Sequence, residues 1–179
     1  MSDVTTRPAT VADIPAITAI YAESVVNEVA SFEMVPPDEA EMGRRLKELV
    51  DRGYPYIVAV AEGGVPGRIL GYGYAGPYRA RPAYRNTVED SIYLSAGARR
   101  QGIGGVILRQ LIEICAGKGY RQMVAIITGS DDPASVRLHK AAGFVEIGTL
   151  KDVGYKHGGW LDTVIMQRAL GPGSQTPPS

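Results

Sequence analysis

The stretch ARRQGIGG, residues 98–105, decides how the rest of the chain is interpreted. Its two arginines and three glycines lie between a segment with strand alternation, which ends near Leu94, and a segment with helical spacing. The first N–H groups of a helix have no intrahelical acceptor, and they carry the positive end of the helix dipole. Glycine lets a phosphate approach the main chain, and arginine adds charge at the rim. The stretch therefore predicts an anion site that suits a pyrophosphate, although a bare Gly-x-Gly by itself more often marks an ordinary tight turn.

Two common nucleotide-binding loops do not fit this stretch. Gly97 and Gly102 have the spacing of a phosphate loop, but Ile103 and Gly104 follow where that loop needs Lys and then Ser or Thr. The segment GIGGVI, residues 102–107, also lacks the third glycine of a dinucleotide-binding fingerprint.

The composition limits the class of protein. A chain of 179 residues with 45% hydrophobic content can bury one sizeable core. The balance of 19 Lys and Arg against 19 Asp and Glu is not that of a protein that coats nucleic acid or an anionic membrane. Cys115 is the single cysteine, so there is no internal disulfide framework, and the sequence has no apolar signal core or membrane-span-length stretch. We therefore expect a cytoplasmic protein with no nucleic-acid or membrane partner.

Residue periodicity predicts an alternation of strands and helices. Thr10 and Asp13 have capping-box spacing before a first helix, and Asp38 begins a second one. The later segments are predicted as a hairpin (54–62 and 68–76, joined by the Gly/Pro turn at 63–67), a strand (88–94), a helix from 104, a strand (121–128), a helix (133–142) and two strands (145–153 and 160–168). The sum is a single α/β (α+β) domain over residues 1–170, with a mixed, mostly antiparallel central sheet flanked by helices. Residues 171–179 form a Pro/Gly/Ser tail that we expect to be disordered.

The order of these parts carries a family resemblance. Arg99-x-x-Gly102-x-Gly104 between strand and helix, followed by a strand and a helix that ends in LHKAAGF (138–144), resembles the GNAT superfamily of N-acetyltransferases over residues 5–169. The resemblance implies the GNAT fold. In that superfamily this motif wraps the pyrophosphate of coenzyme A, so acetyl-coenzyme A is the implied co-substrate.

Four further segments narrow the resemblance to one branch. They are SFE (31–33), GPYRARPAYRNTVEDSIYL (76–94), SVRLHKAAGF (135–144) and GYKHGGWLD (154–162). Together they are similar to the phosphinothricin and methionine sulfone (or sulfoximine) acetyltransferases, whose members acetylate the α-amino group of small amino-acid analogues. The resemblance also implies a homodimer.

The resemblance assigns cofactor contacts to the motif, to the strand before it and to the start of the last major helix. These residues are Ile92, Leu94, Arg99, Arg100, Gln101, Gly102, Ile103, Gly104, Gly105, Asp132 and Ser135. Asp132 stands where the family commonly has an asparagine that bonds the cofactor. A carboxylate cannot donate a hydrogen bond as that amide does.

The strand before the motif carries the candidate base. Acyl transfer to an amine needs a proton acceptor, a donor for the carbonyl oxyanion and a proton for the departing thiolate. Strand alternation separates the side chains into one face with Val88, Asp90, Ile92 and Leu94 and another with Glu89, Ser91 and Tyr93. Glu89 suits the base role, directly or through a water, and the resemblance assigns it that role. The alternative is a solvated strand carboxylate.

A basic and aromatic loop precedes that strand. Arg79 and Arg81 suit the carboxylate of an amino acid and the phosphinate or sulfone oxygen of its analogues. The alternative is a solvated basic loop. The resemblance adds residues that line or cover the substrate pocket: Phe32, Tyr84, Ser91 and Tyr93. For Phe32, an ordinary core aromatic is an equal alternative.

Few other residues carry chemistry. His139 occupies the position where many relatives in the superfamily have a tyrosine near the cofactor sulfur, so it is a candidate proton donor to the thiolate; a structural histidine is the alternative. His139 and His157 are too far apart in the sequence to suggest a metal site, and Cys115 fits packing better than nucleophilic attack. We therefore expect direct transfer within a ternary complex. A non-catalytic acyl-coenzyme A sensor and a protein or peptide N-acetyltransferase remain as alternatives.

Overall fold

Helices and strands alternate along the chain around one sheet. The computed structural model describes residues 4–62, 67–129 and 133–178. Its strands are β1 (Val4–Pro8), β2 (Tyr56–Ala61), β3 (Ile69–Pro77), β4 (Thr87–Leu94), β5 (Gln122–Thr128), β6 (Val145–Lys156) and β7 (Gly159–Ala169). Its α-helices are α1 (Ile14–Asn27), α2 (Glu39–Asp51), α3 (Ile103–Gly117) and α4 (Pro133–Ala141).

The sheet is mixed, as the sequence predicts. In the described residues its strand order is β1-β2-β3-β4-β5-β7-β6, and each neighbouring pair is antiparallel except β4 with β5. The predicted class, a mixed and mostly antiparallel sheet flanked by helices, is therefore confirmed. The predicted hairpin is β2 with β3, and residues 63–66 of its turn lie outside the described part of the chain.

Local signals place the first two helices. The Thr10 backbone N–H donates to Asp13 Oδ2 at 2.7 Å, which completes a capping box ahead of α1. Asp38 accepts a hydrogen bond from the Glu41 backbone N–H at 2.9 Å and so caps α2. Both predicted helix starts are confirmed.

Each face of the sheet has its own apolar layer. Helices α1 and α2 pack on one face through residues such as Ile17 and Leu46, which form one buried cluster with Tyr72 of β3. Helix α3 covers the other face with Ile107 and Leu111, both fully buried. Burial of each such side chain contributes roughly 1.5–3 kcal/mol, so the sheet is held from both sides.

Strands β4 and β5 separate partway along their length. Their parallel pairing runs from Thr87 with Gln122 to Asp90 with Ala125. Beyond that point β4 continues to Leu94 and β5 to Thr128, and no pairing joins these two segments in the described residues. The sheet therefore contains a V-shaped opening whose apex is at Asp90.

The C-terminal segment lies against the start of β5. The Arg121 guanidinium donates to the carbonyl oxygen of Gly173 at 3.2 Å and to that of Pro177 at 2.9 Å. Residues 171–174 form turns. Disorder of residues 171–179 stays a prediction from composition, and Arg121, the residue before β5, is the side chain that contacts this segment in the structure. Among the described residues no helix is both long and apolar enough to cross a membrane.

Candidate active site

The opening between β4 and β5 leads into a cleft of about 1220 Å³. Residues 91–94 and 125–129 form its two strand walls, and the glycine motif and α4 close its sides. The facing strand edges present backbone N–H and C=O groups, which an extended chain with amide groups can bond as an added strand would. The cleft therefore suits a long, thin ligand.

The glycine motif has the geometry of an anion site. Gly102 is the N-cap of α3 with φ of 81°, a left-handed conformation that favours glycine, and Arg100 also has a positive φ, 58°. Such backbone makes a concave row of N–H groups at the positive end of the helix. A Cβ added at Gly104 would lie 3.3 Å from Leu138 Cδ2. The glycine at 104 therefore also permits the close approach of α3 and α4.

Arg99 and Gln101 of the motif have defined partners. Arg99 forms an ion pair with Glu28, the residue that ends α1, and both residues border the cleft. The Gln101 side-chain amide donates to the Gly97 carbonyl oxygen at 2.6 Å and so braces the loop. Ile103 is buried in the core, which leaves only its backbone for a ligand contact. Glu28 is not among the residues that the sequence predicts for the site.

Most of the predicted cofactor residues border one continuous cleft. These are Ile92, Leu94, Arg99, Arg100, Gly102, Gly104, Gly105 and Ser135, and the cleft also includes Ser91, Tyr93 and His139 from the other predicted sets. Gln101 and Ile103 do not border it. Asp132 lies outside the described residues. The structure thus brings together residues that are up to 48 positions apart, from Ser91 to His139.

Glu89 is half-buried on the opposite face of the sheet from α3. Burial and, to a smaller extent, the nearby Asp90 carboxylate raise the pKa of Glu89, the Arg79 guanidinium lowers it, and the resulting pKa is about 7. A carboxylate with this pKa is half ionised near neutral pH and accepts a proton readily. The geometry therefore supports Glu89 as a general base.

The predicted substrate loop lies near Glu89 and outside the cleft. The Arg79 guanidinium lies 5.2 Å from the centre of the Tyr78 ring, and Tyr84 meets Tyr78 edge to face at 5.7 Å. Arg81 is the residue before the short turn Pro82–Tyr84. Because Arg79 and Glu89 interact electrostatically, the loop and the candidate base lie in one neighbourhood.

Ser91 and Tyr93 connect that neighbourhood to the cleft. Ser91 hydrogen-bonds Tyr74, and Tyr93 meets Tyr21 edge to face at 4.9 Å. Both residues share the Glu89 face of β4 and also border the cleft. Phe32, 41% exposed, lies against Gly154 of β6 and is not a core aromatic.

His139 is buried on the other side of β4. Its Nε2 lies 3.1 Å from Asp90 Oδ2, its Nδ1 lies 2.8 Å from the Ser135 carbonyl oxygen, and Phe144 packs edge-on against the ring at 5.0 Å. Strand alternation predicts Asp90 on the face of Val88, but no catalytic or binding role for Asp90 is predicted from the sequence. An acidic residue on the core-facing stripe of a strand is the signal that could have identified it, because a buried carboxylate needs a partner.

The structure also bears on two other kinds of chemistry, nucleophilic attack by Cys115 and catalysis by a metal ion. Burial, together with the Asp90 carboxylate, raises the pKa of the Cys115 thiol to about 12, so the thiolate nucleophile is not available near neutral pH. Within residues 4–62, 67–129 and 133–178, no group of three or more His, Cys, Asp or Glu side chains is placed to hold a metal ion.

A glycine motif at a helix N-terminus, a parallel strand pair that parts beside it and a nearby half-buried carboxylate are the arrangement of an acyltransferase of the GNAT class. Residues 7–165 match the model of the acetyltransferase (GNAT) domain, so the chain belongs to this family and is an N-acetyltransferase. It is 50% identical to a phosphinothricin N-acetyltransferase of Alcaligenes faecalis over 93% of this chain and 82% of the relative. It is 38% identical to an L-methionine sulfoximine/L-methionine sulfone acetyltransferase of Pseudomonas aeruginosa, over 96% and 97% of the two chains.

The fold has a close counterpart among solved structures. A GNAT superfamily phosphinothricin acetyltransferase from Sinorhizobium meliloti, solved in complex with AcCoA, matches with a TM-score of 0.94 and 49% identity. The match covers 100% of this chain and 94% of that one. The expected GNAT fold and the resemblance to the phosphinothricin and methionine sulfone branch are confirmed.

Proposed function

We propose that this chain transfers the acetyl group of acetyl-coenzyme A to the α-amino group of a small amino-acid analogue of the phosphinothricin, methionine sulfone or methionine sulfoximine type. The single observation that carries the proposal is Glu89, a half-buried carboxylate with a pKa of about 7, beside the opening between β4 and β5. The names of the relatives support the substrate class.

The cleft supplies the place for acetyl-coenzyme A. Its pyrophosphate meets the N–H groups at Gly102–Gly105 and the Arg99 and Arg100 guanidiniums, and its pantetheine lies between the parted edges of β4 and β5. The thioester then lies toward the apex of the opening, near Asp90. Backbone N–H groups along residues 91–94 are the donors for the carbonyl oxyanion.

The amino-acid substrate enters from the Glu89 face. Arg79 and Arg81 hold its carboxylate and its phosphinate or sulfone oxygen, while Tyr84 and Phe32 cover it. Glu89 takes a proton from the ammonium group, directly or through a water, so that the free amine attacks the thioester. Ser91 and Tyr93 line the passage between the two ligands.

Transfer is direct, within a ternary complex. The attack forms a tetrahedral adduct whose collapse breaks the C–S bond, and the thiolate takes a proton from His139. The buried Cys115, with its raised pKa, does not form an acyl-enzyme intermediate.

A thiol-release assay tests this function against its two alternatives. We expect coenzyme A release from acetyl-coenzyme A that depends on an amino-acid analogue from a panel of sulfone, sulfoximine and phosphinate compounds. Acetyl-coenzyme A binding without release for any amine would favour an acyl-coenzyme A sensor. Release with peptides carrying free N-termini, and not with the analogues, would favour a protein or peptide N-acetyltransferase.

We also propose that the chain forms a homodimer. Strand β6 is an edge strand and exposes several large apolar side chains: Val145, Ile147, Leu150, Val153 and Tyr155. Exposed apolar edge strands favour pairing with another chain. Sedimentation velocity should give twice the mass of the chain, and a monomeric mass at micromolar concentration would contradict the dimer.

A further inference from the structure

Asp90 is a buried charge at the apex of the opening between β4 and β5. Its side chain is 1% exposed, and Asp90 with Ala125 is the last pair of the parallel ladder. It shares its face of β4 with Val88, a fully buried core residue. A buried carboxylate destabilises the fold unless it is paired and hydrogen-bonded, so Asp90 needs a partner.

The hydrogen bonds of His139 fix the number of protons on the pair. The Ser135 carbonyl oxygen can only accept, so His139 Nδ1 carries a hydrogen and donates it. Nε2 faces Asp90 Oδ2 at 3.1 Å, and two lone pairs at that distance would repel. A second proton therefore lies between Nε2 and Oδ2, and the pair is neutral as a unit.

The second oxygen of the Asp90 side chain is buried without a partner. Among the described residues Asp90 Oδ1 has no hydrogen-bond partner. Buried polar atoms in native proteins are rarely unsatisfied, and the exceptions include catalytic groups. Asp90 borders the cleft together with His139, so the pair is placed beside the ligand that the cleft holds.

Burial alone would leave His139 without the proton that the departing thiolate needs. A general base with the pKa of Glu89 is ionised only at neutral pH and above. At that pH a buried histidine without a counter-charge is neutral, because burial disfavours the charged form. Asp90 supplies that counter-charge. Its carboxylate also raises the pKa of two other nearby groups, Glu89 on β4 and Cys115 on α3.

We propose that Asp90 is a positioning residue that holds His139 in its doubly protonated form at the apex of the cleft, so that the shared proton is the one taken by the departing thiolate. This inference rests on the proposed function. When the C–S bond breaks, its electron pair stays on sulfur, and the proton between Nε2 and Oδ2 moves to sulfur to give the thiol. The pair is left with one negative charge, and it regains a proton through the cleft, which both residues border.

The wild-type protein allows a direct spectroscopic test. The chain has two histidines, and His157 is exposed, so a ¹⁵N-histidine-labelled sample gives two distinguishable rings. We expect His139 to show two protonated ring nitrogens at pH 8. A single protonated nitrogen on His139 at pH 8 would overturn the proposal, even if the enzyme acetylates its substrate normally.

Kinetics of Asp90→Asn add a second, independent readout. The amide keeps the shape but lets His139 become neutral, so we expect kcat to fall by about 10²-fold near pH 8, with little change in KM for acetyl-coenzyme A. The loss should be smaller at pH 6, where the ring is more readily protonated. In a His139→Gln background the Asp90→Asn change should have no further effect on kcat. A loss of the same size in that background, or a kcat loss that is equal at both pH values, would overturn the proposal.

Discussion

Glu89 and Asp90 are neighbours in β4, and their side chains lie on opposite faces of the sheet. Asp90 faces α4 and bonds His139, while Glu89 lies on the face of Ser91 and Tyr93. The Asp90 charge nevertheless helps to raise the pKa of Glu89. Two adjacent residues of β4 therefore serve the two proposed proton transfers, Glu89 as the acceptor for the amine and Asp90 as the partner of His139, the donor for the thiolate.

Gly102→Asp should abolish binding of acetyl-coenzyme A. The substitution places a side chain and a negative charge where the pyrophosphate meets the N-terminus of α3. We expect the dissociation constant, measured by calorimetry, to rise at least 100-fold. Gly119→Asp is the matched control, because Gly119 has the same left-handed conformation just beyond the other end of α3 and open space around it. Equal binding by the two variants, both folded, would contradict the cofactor assignment.

Replacing Arg79 and Arg81 together by alanine should impair recognition of the amino-acid substrate. The two guanidiniums are exposed and lie in the loop before β4, so their loss leaves the core intact. We expect KM for the amino-acid analogue to rise roughly 10- to 100-fold while KM for acetyl-coenzyme A changes less than about 3-fold. Arg85→Ala in the same loop serves as the control. Parallel increases in both KM values would argue against a substrate role.

Glu89→Gln should remove the general base and keep the shape of the side chain. We expect kcat to fall by roughly 10²–10⁴-fold, and the acid limb of the pH–rate profile near pH 7 to disappear. The deficit should shrink at alkaline pH, because more of the amine then arrives deprotonated. Glu113→Gln, on the exposed side of α3, is the control for removal of a carboxylate. A profile parallel to wild type with activity within a few-fold would leave Glu89 without a catalytic role.

Glu89 should also make the stability of the protein depend on pH. Its pKa of about 7 in the folded protein lies above its ordinary value of 4.5, so the folded state binds the proton more tightly than the unfolded state. The contribution of this group to stability is full below pH 4.5 and is lost as pH rises to about 7. Compared with wild type, Glu89→Gln should therefore gain about 2–3 kcal/mol of unfolding free energy between pH 5 and pH 8. Urea unfolding at both pH values measures it, and a constant difference would contradict the burial of this charge.

The features that the sequence could predict are those set by local patterns. Helix caps such as Asp38 with Glu41 and the two faces of β4 depend on neighbouring residues, and both are found as expected. The glycine motif was placed correctly at the start of α3 because glycine spacing and helix periodicity adjoin there.

The features that could not be predicted depend on contacts between distant parts of the chain. Asp90 and His139 are 49 residues apart, and nothing local couples a strand residue to a particular turn of a later helix. The separation of β4 from β5 beyond Ala125 depends on strand pairing, which residue alternation does not report. The ion pair of Arg99 with Glu28 could not be predicted either, because it joins two distant parts of the chain.

The site of acetylation on methionine sulfoximine tests the central claim most directly, because this substrate offers an α-amino nitrogen and a sulfoximine nitrogen. The product made with acetyl-coenzyme A labelled with ¹³C at the acetyl carbonyl can be assigned by NMR, because only the α-amide correlates that carbonyl with the α-proton of the amino acid. With the carboxylate held by the arginine loop and the amine next to Glu89, we predict an acetyl amide on the α-nitrogen alone. Acetylation of the sulfoximine nitrogen, or release of free acetate without any amide product, would contradict the account.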